Sequence, residues 1–328
     1  MANNRLNILE VGPGSPQTNG SSIPSRLARK KEMQAKFERL WLLDPEQFNP
    51  LRNCMQRERL DRTWALLTQH ISLEGKHIAD IGCGAGIFSR RMRDGGAHIE
   101  AVDIAENALK RLRQEDMRHI EAKQEAMPMT QLPDQGYDIV VCTEIVAELS
   151  RDDYRLFFAE LARLVKPDGY IVCSTPIDID SEGGVERLTG LAQTEFDIVD
   201  AKPSYHALFI RLKRWLELPI NLTKAWQDPR FREEELAKRR GLSRWWFYSQ
   251  TSFFFIWIWF AFAYLVHPLL SYLRKNRWLL LQIEKICQFI WDESGISHYI
   301  FLAKLRPLAT VDPKEIPIEK PKRKEIWE

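Results

Sequence analysis

The chain has little net charge: 47 Lys and Arg stand against 45 Asp and Glu over 328 residues, leaving +2. That balance gives no global nucleic-acid signature. Cysteine is sparse and scattered, at positions 54, 83, 142, 173 and 287, with no Cys-x-x-Cys and no His/Cys cluster. A metal site is therefore not expected. A basic-then-apolar leader is also missing from the residues before Ile23, so no signal peptide is expected and a reducing, cytoplasmic setting follows. At this length the chain holds one large domain with an insertion, or two domains.

What is present is a glycine turn with an acid at the right distance beyond it. Asp80-Ile81-Gly82-Cys83-Gly84-Ala85-Gly86 is followed by Asp103, nineteen residues after Gly84. Lys76 to Gly82 reads as a strand, Ile87 to Met92 as the start of a helix, and His98 to Asp103 as a second strand, with a further helix through Leu112. Such a unit holds an adenosine-containing cofactor. The glycines let backbone approach the ligand, and the acid at the second strand tip can accept both ribose hydroxyls. A dinucleotide fingerprint, G-x-G-x-x-G, would place its third glycine at position 87, which is Ile87. Here the third glycine is Gly86. A nicotinamide or flavin turn is the competing reading. A second glycine run, Ile8 to Gly14, is followed by Ser15-Pro16-Gln17-Thr18-Asn19-Gly20 and by no strand with a terminal acid, so it is set aside as part of a disordered N-terminus.

The spacing D-x-G-x-G-x-G resembles motif I of the class I S-adenosylmethionine-dependent methyltransferases. Asn49-Pro50-Leu51-Arg52, ahead of it, is similar to a segment of the ubiquinone-biosynthesis O-methyltransferases. The resemblance runs over about residues 35–176. It implies a Rossmann-like doubly wound sheet with S-adenosylmethionine as cofactor. Arg52 would grip the cofactor's methionine carboxylate. Asp80, Gly82, Gly84, Gly86, Asp103, Ile104, Glu125, Ala126 and Thr143 would complete the cofactor site. Family members often carry E-x-L-E-H-[LV] after strand four. This chain has Glu144-Ile145-Val146-Ala147-Glu148-Leu149, with Glu148 in place of the family histidine, and Lys123 or Gln124 falls where an acid often meets the adenine amine. An oxygen acceptor needs a base, for which Glu148, Glu144 and His206 are candidates.

Residues 1–27 are expected to be disordered and residues 28–75 to form helices capping the cofactor, with Met33, Phe37, Leu40 and Trp41 on one face between Arg29 and Leu43. A core over 76–201 follows. It includes strands at Tyr137 to Thr143 and Tyr170 to Ser174, a helix from Asp153 to Val165, and a turn at Lys166 to Gly169. Apolar strands alternating with helices imply a parallel sheet buried on both faces, with ligands at the strands' C-terminal ends. Residues 202–295 form an insertion. Leu208 to Leu218 is a basic amphipathic helix. Ser252 to Leu273 is apolar for twenty-two residues, about 33 Å as a helix and long enough to cross a bilayer. Trp278 to Trp291 is a shorter apolar helix. Residues 296–305 read as the last core strand, and 306–328 as a disordered tail.

If that last strand rejoins the sheet, the insertion crosses a membrane an even number of times or not at all. Arg239, Arg240 and Arg244 before the apolar run, and Arg274, Lys275 and Arg277 after it, lack the asymmetry of a spanning helix. A hairpin dipping into one leaflet from the cytoplasmic side, a spanning helix, and a soluble lid or dimer face all stay open; the first is favoured, with residues 208–291 on the membrane surface. The expected activity is methyl transfer to a lipophilic small molecule, such as a quinone precursor, with no nucleic-acid partner. In many such enzymes the region beyond strand five builds the acceptor lid. The alternatives are a methyltransferase acting on a protein or soluble metabolite, with the helices as anchor only, and a non-catalytic membrane-bound scaffold.

Overall fold

A computed structural model describes residues 23–178, 183–237 and 239–307. The glycine run at 8–14, most of the N-terminal segment expected to be disordered, and the tail from 308 lie outside the described residues. The strands are β1 (His77–Ile81), β2 (His98–Asp103), β3 (Ile120–Gln124), β4 (Tyr137–Thr143), β5 (Val165–Pro176), β6 (Phe196–Ala201) and β7 (His298–Leu305). They form one sheet in the order β3-β2-β1-β4-β5-β7-β6. The first five are parallel. β7 enters antiparallel between β5 and β6, so the strand expected at 296–305 does rejoin the sheet. Central strands are apolar on both sides because helices cover both faces. One face packs Phe157, Phe158, Leu161 and Phe301, all fully buried. The other packs Leu66, Leu67, Met92 and Leu109, equally buried.

The helices are α1 (Ile23–Leu43), α2 (Cys54–His70), α3 (Ile87–Asp94), α4 (Glu106–Leu112), α5 (Tyr154–Leu164), α6 (Gly184–Ala192), α7 (Ala207–Gln227), α8 (Pro229–Ala237), α9 (Gly241–Gln250), α10 (Phe253–Lys275) and α11 (Arg277–Trp291). Two sequence expectations change. α1 begins at Ile23, inside the stretch expected to be disordered, because Pro24 suits a first helical turn. The turn at Lys166 to Gly169 is a bulge within β5: Val165 pairs with Tyr137, and pairing resumes at Tyr170 with Ile139. Asp168 there adopts a left-handed φ of 65°.

α1 is fixed across the sheet's C-terminal edge. Glu38 receives the backbone N–H groups of Glu106 and Asn107 at 2.7 and 3.0 Å. Those are orphan donors of the first turn of α4, and an acid there also meets the positive helix end. Trp41 stacks on Phe48 with ring centroids 4.5 Å apart.

α7 and α10 lie antiparallel. Phe209 and Leu216 meet Leu270 and Leu273 near one end, and Trp226 meets Phe260 near the other. α10 is the one helix among the described residues long and apolar enough to cross a membrane. Only one side of it is covered. Ile256, Leu270 and Leu273 are buried, whereas Phe254, Trp257, Tyr264 and Leu265 are 83%, 65%, 83% and 68% exposed. α11 is tied to α2 by charge. Arg62 donates from both terminal nitrogens to Glu284, at 2.7 and 2.5 Å. Glu58 joins Arg62 to Arg277.

Candidate active site

The C-terminal ends of β1, β2 and β4 open onto a cavity of about 400 Å³. This is a typical size for a small-molecule site, at the place where an open α/β sheet binds its ligands. Its floor is the turn after β1. Gly82, Gly84 and Gly86 all have positive φ, at 75°, 57° and 71°. A Cβ on Gly82 would lie 2.2 Å from Cδ1 of Ile145, so any side chain would push the β1 turn away from the end of β4. Gly86 is the left-handed residue that starts α3, where a Cβ would meet Leu112 at 2.3 Å. The roof comes from α1, the two short 3-10 turns Pro45–Phe48 and Pro50–Arg52, and α2, through Met33, Phe37, Trp41, Phe48, Arg59 and Leu60.

Asp103 stands at the tip of β2. Gly84 N–H donates to its Oδ2 at 2.9 Å and Ala105 N–H to its Oδ1 at 2.8 Å. Each oxygen keeps a further acceptor direction. Burial pushes this carboxyl up to about 6, against the pull of those two backbone donors. Asp80 lies beneath the turn, where Ser89 Oγ donates to it at 2.5 Å. Burial raises it to about 6 as well.

At the end of β4, Glu144 takes a left-handed φ of 67°. Its carboxylate is gripped from three elements. Arg59 Nη1 of α2 is 2.7 Å from Oε2. Ser174 Oγ of β5 donates to Oε1 at 3.1 Å, and His298 Nε2 of β7 is 2.8 Å from the same oxygen. Burial holds the His298 imidazole below its ordinary value despite the nearby Glu144, so the ring is neutral at pH 7. A neutral ring with its proton on Nε2 donates to Glu144. Glu148 lines the same cavity and faces Lys36 Nζ at 2.9 Å.

The fold thus brings Gly82, Gly84, Asp103, Ile104, Glu125, Ala126, Thr143, Glu144 and Glu148 to one cavity wall. Four candidates are absent from that wall. Arg52 is two-thirds exposed, with Nε 2.8 Å from Glu46, which itself lines the cavity. Asp80 and Gly86 support the turn from behind. His206 caps α7 and is buried, with Nε2 3.5 Å from Glu284 and no hydrogen-bond partner on that nitrogen. It belongs to the α2–α11 charge cluster. No described residue of 202–295 lines the cavity, so the lid is built by α1 and α2 and not by the segment beyond strand five. Arg59 and His298 were not anticipated. A helical arginine and a histidine at a strand start carry no local signal, and only β7's place beside β5 brings His298 to Glu144.

A methyltransferase-domain model matches residues 79–173. A ubiquinone biosynthesis O-methyltransferase from Bordetella avium is 33% identical over 153 residues, 45% of this chain and 60% of the relative. One from Leptothrix cholodnii is 31% identical over 203 residues, 58% of this chain and 80% of the relative. The chain thus spans three-fifths of one relative's length and four-fifths of the other's. Among solved structures, an N-methyltransferase from Bradyrhizobium japonicum bound to S-adenosyl-L-homocysteine matches 53% of this chain and 90% of its own at 18% identity and a TM-score of 0.45, too loose a likeness to carry weight. On the sequence relationship, with the glycine turn and acid in place, the chain belongs to the S-adenosylmethionine-dependent methyltransferase family that includes the ubiquinone biosynthesis O-methyltransferases.

Proposed function

We propose that the chain transfers a methyl group from S-adenosylmethionine to a hydroxyl of a lipophilic small molecule, a quinone precursor being the leading class, at a membrane surface. The observation that carries this reading is the cavity. Glycine backbone, an acid for ribose and two further carboxylates, Glu144 and Glu148, line one cavity together with apolar side chains. The residues fit the cofactor. The turn takes positive φ at Gly82, Gly84 and Gly86, and Asp103 keeps acceptor capacity for two hydroxyls. Ala126 and Met127 would flank the adenine. These same groups argue against a scaffold with a dead site.

The cofactor supplies a methyl group already activated on a sulfonium. What the protein adds is alignment of donor and acceptor and removal of the acceptor's proton. Glu148 is the better base. Among the described residues its one charged partner is Lys36, whose exposed side chain can swing away. Glu144 is held by Arg59, Ser174 and His298 and has little freedom to take a proton.

The apolar stripe on α10 supports membrane apposition, with the helix lying in one leaflet on the cytoplasmic side. Its basic flanks are partly neutralised. Arg274 and Arg277 are engaged by Glu217 and Glu58, whereas Arg244 and Lys275 have no acid partner among the described residues. Those two would meet anionic headgroups. A second reading, action on a protein or soluble metabolite with α7–α11 as anchor only, is favoured by the absence of any described residue of 202–295 from the cavity wall.

Incubating the full chain with methyl-labelled cofactor and total membrane lipids tests the proposal. Label in the organic-extractable fraction is expected. Label confined to protein or RNA contradicts it, and label in a water-soluble metabolite selects the second reading.

A further inference from the structure

Three of the chain's seven histidines stand together at the end of the sheet away from the cavity. His77 begins β1, His98 begins β2, and His119 immediately precedes β3. These are neighbouring parallel strands, so all three residues lie at the N-terminal edge of the sheet, whereas the cavity lies at the C-terminal edge. His77 and His98 are register partners. His119 is tied to β2 through its carbonyl, which accepts the Ile99 N–H at 2.8 Å. His98 and His119 are 21 positions apart along the chain, so no local spacing announces the grouping.

The rings are in contact. Nδ1 of His119 is 3.2 Å from Nδ1 of His98, with the two planes 81° apart. His77 stacks on His98, ring centroids 5.3 Å apart and planes 19° apart. The backbone of His77 is held in turn by Asp138, whose Oδ2 accepts its N–H at 2.9 Å. Two imidazole nitrogens this close share one proton when both rings are neutral, one nitrogen donating and the other accepting. A metal ion can take the place of that proton. Zinc binds imidazole nitrogen at about 2.0 to 2.1 Å, and two such bonds meeting at about 100 to 109° put the nitrogens about 3.1 to 3.4 Å apart. The observed separation falls in that range.

We propose that His98 and His119 form a bidentate surface site for a divalent transition-metal ion, with His77 as a positioning residue stacked on His98. No group of three metal-binding side chains forms among the described residues, so two imidazoles are the protein's share of the coordination and water completes it. Imidazole suits Ni²⁺, Cu²⁺ and Zn²⁺, whereas Mg²⁺ takes oxygen ligands. Arg118, next to His119, is held by Asp116 at 2.7 Å, which offsets its charge beside an incoming cation. The ion cross-links β2 to the start of the edge strand β3, remote from the cofactor cavity. The site stands independently of the methyl-transfer reading.

Calorimetric titration of the metal-free full chain with Ni²⁺, Cu²⁺, Zn²⁺ and Mg²⁺ tests it. One ion per chain is expected for each of the first three, with Cu²⁺ the tightest and Mg²⁺ not bound. His98→Asn and His119→Asn should each lose at least tenfold in affinity. His77→Asn should lose less than either, and His70→Asn, outside the cluster, should change affinity less than twofold. Nitrogen couplings in the electron paramagnetic resonance spectrum of the Cu²⁺ complex should report two imidazoles in the wild type and one in each of His98→Asn and His119→Asn. Carbethoxylation with diethyl pyrocarbonate, read by mass spectrometry, probes the same site without any substitution: saturating Zn²⁺ should protect His98 and His119 and leave His70 modified to the same extent. Binding that is absent, that needs millimolar metal, or that survives unchanged in both His98→Asn and His119→Asn, as adventitious binding elsewhere would, overturns the site. So does equal modification of His98 and His119 with and without Zn²⁺.

Discussion

The backbone N–H of Gly84 donates to Oδ2 of Asp103 at 2.9 Å, joining the turn after β1 to the tip of β2. This bond fixes the two halves of the proposed ribose site to each other. It also makes the acid's charge state matter twice, once for folding and once for binding.

Burial raises the Asp103 carboxyl to about 6, above the usual carboxylate value. A raised acid binds its proton more tightly in the native state than in the unfolded chain. Its contribution to stability is therefore fully present below about pH 4 and is lost as pH rises through about 6. Ribose hydroxyls need the ionised form as acceptor. Affinity for S-adenosylhomocysteine should accordingly fall as pH drops below about 6, while the ligand-free protein becomes more stable over the same interval. Asp103→Asn should flatten the binding profile in this window. Calorimetric affinities and thermal unfolding between pH 4.5 and 7.5 measure both trends.

Glu148→Gln removes the proposed base and leaves Asp103 and the glycine turn intact. Methyl transfer should slow by about 100-fold, a usual contribution of general base catalysis, with cofactor affinity within twofold of wild type. Single-turnover transfer from labelled cofactor reads the rate, and calorimetry reads the affinity.

The fork of Arg62 on Glu284 holds α11 against α2. Burial pushes the Glu284 carboxyl up, but His206 and Arg62 outweigh it and hold it at about 2. Glu284→Ala leaves the largely buried Arg62 guanidinium with Glu58 as its one acid among the described residues, beside the neutral acceptors Pro203 O and Ser204 Oγ. It should lower stability by about 3 kcal/mol, in line with buried pairs broken from one side. Chemical denaturation checks this. Because the Glu284 carboxyl is depressed, its contribution is present above about pH 4 and is lost as pH falls toward 2.

Phe254 and Tyr264 stand on the uncovered side of α10, and changing both to Ser removes apolar area without touching the α7 contact. Burying one large aromatic side chain is worth about 2 kcal/mol, so the double variant should bind vesicles containing anionic lipid at least tenfold more weakly while keeping its melting temperature. Flotation with phosphatidylglycerol vesicles is the measurement. Added salt should weaken the wild type further, because Arg244 and Lys275 contribute through screened attraction.

The sequence made the centre of the site legible and left its edges hidden. Gly82, Gly84 and Asp103 belong to one local unit whose spacing is dictated by a strand, a turn and a helix, so each could be placed without the rest of the fold. The topological argument that Ile296 to Leu305 rejoins the sheet also held, since β7 sits between β5 and β6. β3 and β6 lie at the two edges, half exposed, and their mixed sequences IEAKQ and FDIVDA lack the continuous apolar run of a central strand. Arg52, placed by motif, is two-thirds exposed and pairs with Glu46 of the cavity wall. Arg59 and His298 become visible only when α2 and β7 meet at the end of β4, which no local pattern encodes.

The central claim is that the glycine turn and Asp103 hold an S-adenosyl ligand. Titration of the full chain with S-adenosylhomocysteine and, separately, with NADH tests it most directly. Saturable binding of the first, none of the second, and at least a tenfold loss on Asp103→Ala are predicted. Binding of NADH, or an Asp103→Ala variant whose S-adenosylhomocysteine affinity is unchanged, would contradict the account.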